Sequence, residues 1–280
     1  MKANKTILLM MLGAVGLCAS CVSEDHDWGM PEQQKSDQKG SLRLSLNPTT
    51  SFENQTRALN EDDYRNVSNY TVQLINTSNQ SVILECMGSE LSSKLPKELE
   101  IGSYEVKAFY GNESAASRSD FRVEGSTTFT IRANDETTVS VDCLPTCGKL
   151  SVAFAADMAT YYDDYNVTYG GTAALAGSTI AWAKADTEPW YVKLNESGET
   201  LTYTVNVTVK EAYAHVDDNG DKQTSGTASG TFTLQRNKAH KLSVAPSYSP
   251  MAEGGLKIVI TIDEDTNDTP VTFEVPLSWI

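Results

Sequence analysis

Leu201-Thr202-Tyr203-Thr204-Val205-Asn206-Val207-Thr208-Val209 alternates an apolar residue with a Thr or Asn along its whole length. Successive side chains of a strand point to opposite faces, so this spelling makes one apolar face and one polar face. A helix would scatter the same residues around its axis and leave no apolar stripe. The β-branched and aromatic residues that fill the apolar positions fit a pleated, half-buried surface. The alternation leads towards Asp217-Asp218-Asn219-Gly220, where Asn-Gly predicts a hairpin with a type I′ turn. Phe232/Leu234 follow as the return strand, after the Ser/Thr/Gly-rich 224–231.

The same period recurs in both directions. Towards the N-terminus lie Leu42/Leu44/Leu46, Tyr70/Val72/Leu74, Val82/Leu84, Tyr104/Val106/Ala108/Tyr110, Phe129/Ile131 and Val139/Val141. Asn79-Gln80, Gly102-Ser103, Gly111-Asn112 and Asn134-Asp135 punctuate them as turns. Asn47 to Val67 reads as a loop. Leu150/Val152/Phe154 opens a second series, followed by a helical turn or an irregular edge at Asp157–Asp164 and strands at Tyr165/Val167/Tyr169, Ile180/Trp182 and Trp190/Val192/Leu194. Leu242/Val244, Leu256/Ile258/Ile260/Ile262 and Val271/Phe273/Val275/Leu277/Trp279 complete it. Pro276 lacks an N–H, which places the last strand at a sheet edge or at a bulge.

Short alternating strands separated by turns predict an all-β chain of two antiparallel β-sandwiches in series, because each sheet has one apolar face that must be covered. Pro145 and Gly148 interrupt the pattern, so the expected division is 41–145 for the first sandwich and 146–280 for the second.

The first twenty residues follow other rules. Lys2 and Lys5 precede the uncharged run Ile7–Leu17. That run lies within the roughly 7–15 residues of a secretory apolar region and short of the roughly 20 that span a membrane. Leu17-Cys18-Ala19-Ser20-Cys21 resembles a bacterial lipobox, with small Ser20 before Cys21, whereas Cys18 follows bulky Leu17. The expectation is a lipoprotein signal peptide over 1–20, lipidation of Cys21, and a flexible tether over 21–40 that is poor in apolar residues. Ser23, Glu24, Asp25 and Asp27 are similar to the Ser-plus-acidic tag that exports Bacteroidetes lipoproteins to the outer face of the outer membrane.

The chain has a formal net charge of −15, and residues 1–20 carry two lysines and no acid, so the remainder is more acidic still. Such a surface repels phosphate backbones, which excludes nucleic acid as a partner. Cys86, Cys143 and Cys147 remain after lipidation, and in an exported protein a pair of them can oxidise while the odd one stays free. Cys143 and Cys147 meet only through a tight turn, since an extended chain at about 3.3 Å per residue holds them apart. Cys86 and Cys143 share the phase of apolar strand positions, so a core pair between them is the alternative.

The stretches Ile101–Gly111, Phe121–Ile131, Gly148–Val152 and Tyr161–Thr168 resemble a Bacteroidetes family of surface lipoproteins whose domain has no assigned function. In layout this family is similar to the fimbrillin superfamily of pilus subunits and anchors. The resemblance implies transthyretin-like or immunoglobulin-like domains on a lipid anchor in the outer membrane, facing the cell exterior. It also implies roles in adhesion or fimbrial assembly, with other surface or fimbrial proteins as partners, and it brings no catalytic residues. In related fimbrial subunits the first strand is lost after cleavage at an Arg, and a neighbour's terminal strand fills the groove. Arg57, in the loop after Leu42/Leu44/Leu46, is the corresponding processing candidate.

Other chemistry finds little support. Asp263–Asp268 has oxygen ligands at alternate positions but lacks the Gly and the bidentate Glu of a calcium loop, and Asp217–Asp221 is read the same way. No metal, cofactor or enzymatic constellation is expected: His215 and His240 assemble no nucleophilic set. Tyr161, Tyr162, Tyr165, Trp182 and Trp190 sit at strand phase and read as core. A glycan-binding surface lipoprotein of a polysaccharide-uptake system, taking host or bacterial glycans, is the alternative to a fimbria-like structural or adhesive component.

Overall fold

The structure is a computed structural model that describes residues 38–52, 59–248, 256–264, 271–276 and 278–279. The strands of the first half are β1 (Lys39–Pro48), β2 (Thr71–Asn76), β3 (Ser81–Met87), β4 (Lys97–Glu100), β5 (Gly102–Tyr110), β6 (Ala116–Ser117), β7 (Val123–Ile131) and β8 (Glu136–Pro145). The second half opens with β9 (Cys147–Phe154), β10 (Tyr162–Gly170), β11 (Ile180–Ala183), β12 (Trp190–Lys193) and β13 (Glu199–Val209). It continues with β14 (His215–Val216), β15 (Lys222–Gln223), β16 (Ser225–Leu234), β17 (Ala239–Tyr248), β18 (Leu256–Glu264), β19 (Val271–Pro276) and β20 (Ser278–Trp279). The α-helices, α1 (Leu91–Lys94) and α2 (Met158–Tyr161), are single turns, as the lack of any sustained 3.6-residue period implies.

Among the described residues, the first half forms a sheet in the order β3-β2-β5-β7-β8-β1-β4. It folds on itself at β7–β8, where Val123 pairs with Pro145 and Glu124 with Leu144. Leu42, Val139 and Val141 from one wing then meet Tyr70, Val72 and Val106 from the other in one core. The second half faces the sheet β11-β10-β13-β16-β20 with the sheet β19-β18-β17-β9-β12-β6. Val167, Trp182, Tyr203 and Val205 pack there against Leu150, Val152, Leu242 and Ile260. The chain is therefore all-β and built of sandwiches, as its alternation predicts.

Pairing is not uniformly antiparallel. β1 runs parallel to β8 from Ser41↔Glu136 to Pro48↔Cys143, and β17 runs parallel to β9 from Ala239↔Lys149 to Val244↔Phe154. Periodicity sets which face a side chain takes but carries no information on strand direction, so these pairs escaped the sequence. β6 belongs to the first half by sequence and pairs with β12 in the second, Tyr191 with Ser117. β19 lies at a sheet edge, in keeping with Pro276, and β20 then joins the opposite sheet beside β16.

Local turn chemistry departs from expectation at Asn219-Gly220 and at Gly102-Ser103. Of the Asn-Gly pair only Gly220 has a positive φ, +86°, while the Gly220 amide donates to Asp217 O at 3.0 Å. This is a turn closed by a left-handed glycine rather than a type I′ turn. The Asp217 carboxylate accepts from the amides of Asn219 and Asp221, each at 2.9 Å, and these bonds hold it below the ordinary aspartate range. The hairpin β14–β15 is an excursion from the main pair, since β13 and β16 align from Glu199↔Leu234 to Thr208↔Ser225. Gln80 and Asn134 have positive φ at their predicted turns, whereas Gly102-Ser103 simply opens β5.

Candidate functional site

The slot that holds β1 is the feature of the first sheet that bears on assembly. β1 lies between β8 and β4, neither of which is its neighbour in sequence, and it pairs with eight residues of β8 and four of β4. Its alternation places Leu42 and Leu46 in the core, 1% and 8% exposed. Burying two leucines contributes on the order of 3–6 kcal/mol before the entropy of ordering the strand is counted.

Neither sheet edge competes with that slot. β4 has four residues, of which Lys97, Glu98 and Glu100 are charged, and short charged strands resist pairing. β3 carries a bulge: Leu74 pairs with Leu84 and Ile75 with Val82, which leaves Ile83 without a partner across the ladder. The bulge turns both Val82 and Ile83 outward, 52% and 37% exposed, and interrupts the regular edge.

After β1 the chain is pinned against the core that contains Leu42 and Leu46. Phe52 is 1% exposed, with its ring 5.4 Å from Phe121 and 5.7 Å from Tyr191, and Arg65 donates to the carbonyls of Thr50 and Phe52. The 3-10 turn Glu61–Tyr64 follows, capped by Asn60, whose side chain accepts from the Asp62 amide. It delivers Glu61 into the interior, where Lys149 Nζ on β9 lies 2.7 Å from Oε1 and the Tyr191 hydroxyl donates to the same oxygen at 2.5 Å. Glu61 and Lys149 are 2% and 7% exposed. Period two puts Lys149 on the solvent face of β9, opposite to Leu150. It is buried instead because the Glu61 turn covers that face.

A second clasp crosses the same boundary. Arg118, just after β6, donates to both carboxylate oxygens of Asp186 at 2.7 and 2.5 Å and to the carbonyl of Ala181. Its guanidinium lies 4.6 Å from the ring centroid of Trp190 and 5.7 Å from that of Trp182. Arg118 holds the Asp186 carboxyl below its usual range. Gly111, at φ +79°, makes the turn that starts this excursion, and a Cβ there would meet Phe121 O at 1.9 Å. Sequence reasoning singled out none of Phe52, Glu61, Arg118 and Lys149. Each works through a partner far along the chain, and its type at its own position is ordinary.

The predicted site residues fall into two groups. Cys21, Ser23, Glu24, Asp25, Asp27 and Arg57 lie outside the described residues. Cys86, Cys143 and Cys147 are buried free thiols, and Cys143 and Cys147 lie on successive strands with no tight turn between them. Burial pushes the Cys143 thiol up to about 12 and also raises those of Cys86 and Cys147, so none is poised to react. Trp182 and Tyr162 are core residues, while Tyr161, Tyr165 and Trp190 are half-buried around that core. Asp263 and Glu264 belong to β18, the rest of their acidic stretch lies outside the described residues, and no group of metal-ligating side chains assembles among the described residues.

His240 is a buried titratable group with no use in these contacts. It is 1% exposed, stacks on Phe232 with centroids 3.7 Å apart, and neither ring nitrogen has a partner. Burial pushes it down to about 4.

Comparison with solved structures finds a fimbrial assembly protein from Parabacteroides distasonis, 12% identical, with 84% of this chain and 98% of that one covered and a TM-score of 0.42. It also finds the fimbrial anchor protein Mfa2 from Porphyromonas gingivalis, 9% identical, covering 86% of this chain and 99% of that one, with a TM-score of 0.39. No curated protein matches the sequence. A family model does, over residues 38–277: the chain belongs to the family defined by the domain of unknown function DUF4493.

Proposed function

We propose that this chain is a lipid-anchored protein of the outer cell surface and a structural or adhesive component of a fimbria-like assembly, with no enzymatic role. One observation carries the assembly half of this reading: β1 is held wholly by strands remote in sequence, so its slot can be filled as well by a strand of another chain. A strand entering there restores the backbone hydrogen bonds and the apolar cover supplied by Leu42 and Leu46. Arg57 lies between β1 and the Glu61 turn, so cleavage there makes β1 a separate piece. Cys21 supplies the lipid anchor, and Ser23, Glu24, Asp25 and Asp27 the signal for outward display. The division into domains at Pro145–Cys147 is part of the same reading.

The test is strand exchange. The chain is treated with an Arg-specific protease, and a peptide spanning Val271–Trp279 is added, with Arg57→Lys as the uncut control. The expected result is release of the β1 piece and uptake of the peptide by the cut chain alone. A cut chain that stays a folded monomer, keeps β1 and takes up no peptide overturns the polymerising role.

A further inference from the structure

The outward face of the sheet β11-β10-β13-β16 differs from the other outward faces. Those of the first sheet and of β17–β19 carry charge pairs, such as Arg43–Glu136 at 2.8 Å, Lys107–Glu105 at 3.4 Å and Lys257–Glu274 at 3.3 Å. The central strands here present only hydroxyls and amides: Thr202, Thr204, Asn206 and Thr208 on β13, and the alternate Ser and Thr residues of β16. On a chain of net charge −15, two neighbouring strands with no charged residue on their outward face are a compositional exception.

That face is indented at one end. Register shifts between Tyr162 and Asp164 on β10, and an open groove of about 160 Å³ lies beside the shift. Asp164, Tyr165, Asn166, Asn206, Thr208 and Thr227 line it. Asn166 and Asn206 stand directly opposite each other on β10 and β13, and Asn206 Nδ2 donates to Asn166 Oδ1 at 2.8 Å. That bond uses one amide hydrogen of Asn206 and the carbonyl oxygen of Asn166, and leaves the Asn166 amide donors and the Asn206 carbonyl oxygen for another partner. Asn is disfavoured within strands, so two of them paired across neighbouring strands are not explained by propensity. The spelling Asn-Val-Thr at 166–168 and at 206–208 brings each Asn to the same face as the Thr after it.

We propose that this groove is a binding site for a neutral saccharide. Adjacent amide donors and acceptors match the vicinal hydroxyls of a sugar, and the Asp164 carboxylate accepts from a further hydroxyl. Tyr165, at the edge of the groove, pairs with Val207 and packs its ring on Phe154 and Tyr162 on the core side. The acidity of the chain and of Asp164 disfavours an anionic ligand. The groove lacks the aromatic and Arg anchors on which protein interfaces depend. The volume is on the scale of one sugar ring, so the site grips a single residue of a chain or its end. This inference is independent of strand exchange at β1, which involves the other half of the molecule.

Affinity electrophoresis of the full-length chain through gels containing mannan, dextran or xyloglucan tests it, with polygalacturonate as the anionic control. Retardation is expected in at least one neutral gel and not in polygalacturonate. Asn166→Ala with Asn206→Ala is expected to weaken that association about tenfold, and Asp164→Ala several-fold. Thr231→Val, on the same face but outside the groove, is expected to leave it unchanged. Thermal melts check that each variant is folded, and the exposed Asp164 position serves if the double variant is not. No retardation in any neutral gel, or retardation indifferent to the groove substitutions, overturns the proposal. So does sedimentation showing self-association that those substitutions abolish, because the face would then belong to a second copy of the chain.

Discussion

Glu61 and Lys149, 88 positions apart, form an ion pair at 2.7 Å that lies almost wholly out of solvent and joins the turn after β1 to the first strand of the second sandwich. The Tyr191 hydroxyl shares Glu61 Oε1, whereas Oε2 has no partner. A buried pair of this kind is a poor source of net stability, because desolvation offsets attraction, but it is costly to break. Its geometry fixes how the segment after β1 meets β9.

Lys149→Met alone is therefore expected to lower stability by about 3 kcal/mol, since it leaves the Glu61 carboxylate uncompensated. Glu61→Leu together with Lys149→Met is expected to recover most of that loss. Urea melts of the two variants decide the point. Equal losses in single and double variants would show that packing, not charge, governs the site.

Phe52 is the peg that holds the segment after β1, wedged against Phe121 and Tyr191. Phe52→Ala is expected to destabilise the intact chain by about 3 kcal/mol through the cavity it leaves. After cleavage at Arg57 the same variant is expected to release its β1 piece faster than the parent. Size-exclusion chromatography of cut samples over time measures this, and identical release would mean that Leu42 and Leu46 alone retain the strand.

His240 makes stability depend on pH. Its imidazole titrates near 4 when folded and near the ordinary 6.5 when unfolded, so between these values the unfolded chain binds the extra proton. Stability is full above about pH 6.5 and is expected to fall by about 3 kcal/mol as the pH drops to about 4. Chemical melts across that range are compared with those of His240→Phe, which keeps a flat ring over Phe232 and cannot titrate. A variant with the same slope as the parent would assign the acid loss to other groups.

Cys21→Ser is expected to move the chain out of the membrane fraction, and replacement of Glu24, Asp25 and Asp27 by Ala is expected to leave it anchored but facing inward. Lipid labelling with fractionation tests the first. Protease shaving of whole cells tests the second. Labelling that persists without Cys21, or shaving undiminished by the triple substitution, removes the respective assignment.

Much of the architecture was legible along the chain. The strands containing Leu201–Val209, Leu150–Phe154 and Leu256–Ile262 appear where period two places them, because side-chain alternation is a local consequence of extended backbone. Turns at Gln80 and Asn134 were legible for the same reason, since backbone shape there depends on a residue and its neighbours. The turn at Asn219-Gly220 was not, because the pairing of β14 with β15 selected a different closure.

By itself, then, the sequence determined most of the strands, the apolar faces and the acidity of the surface, properties that need only a residue and the few around it. Tertiary structure alone decided that β1 runs parallel to β8, that Lys149 is buried against Glu61, that Arg118 reaches Asp186, and that Asn166 meets Asn206 across two strands. Each of these joins positions tens of residues apart. Such contacts are selected by how whole faces cover one another, because only the closed fold repays the entropy of bringing distant segments together.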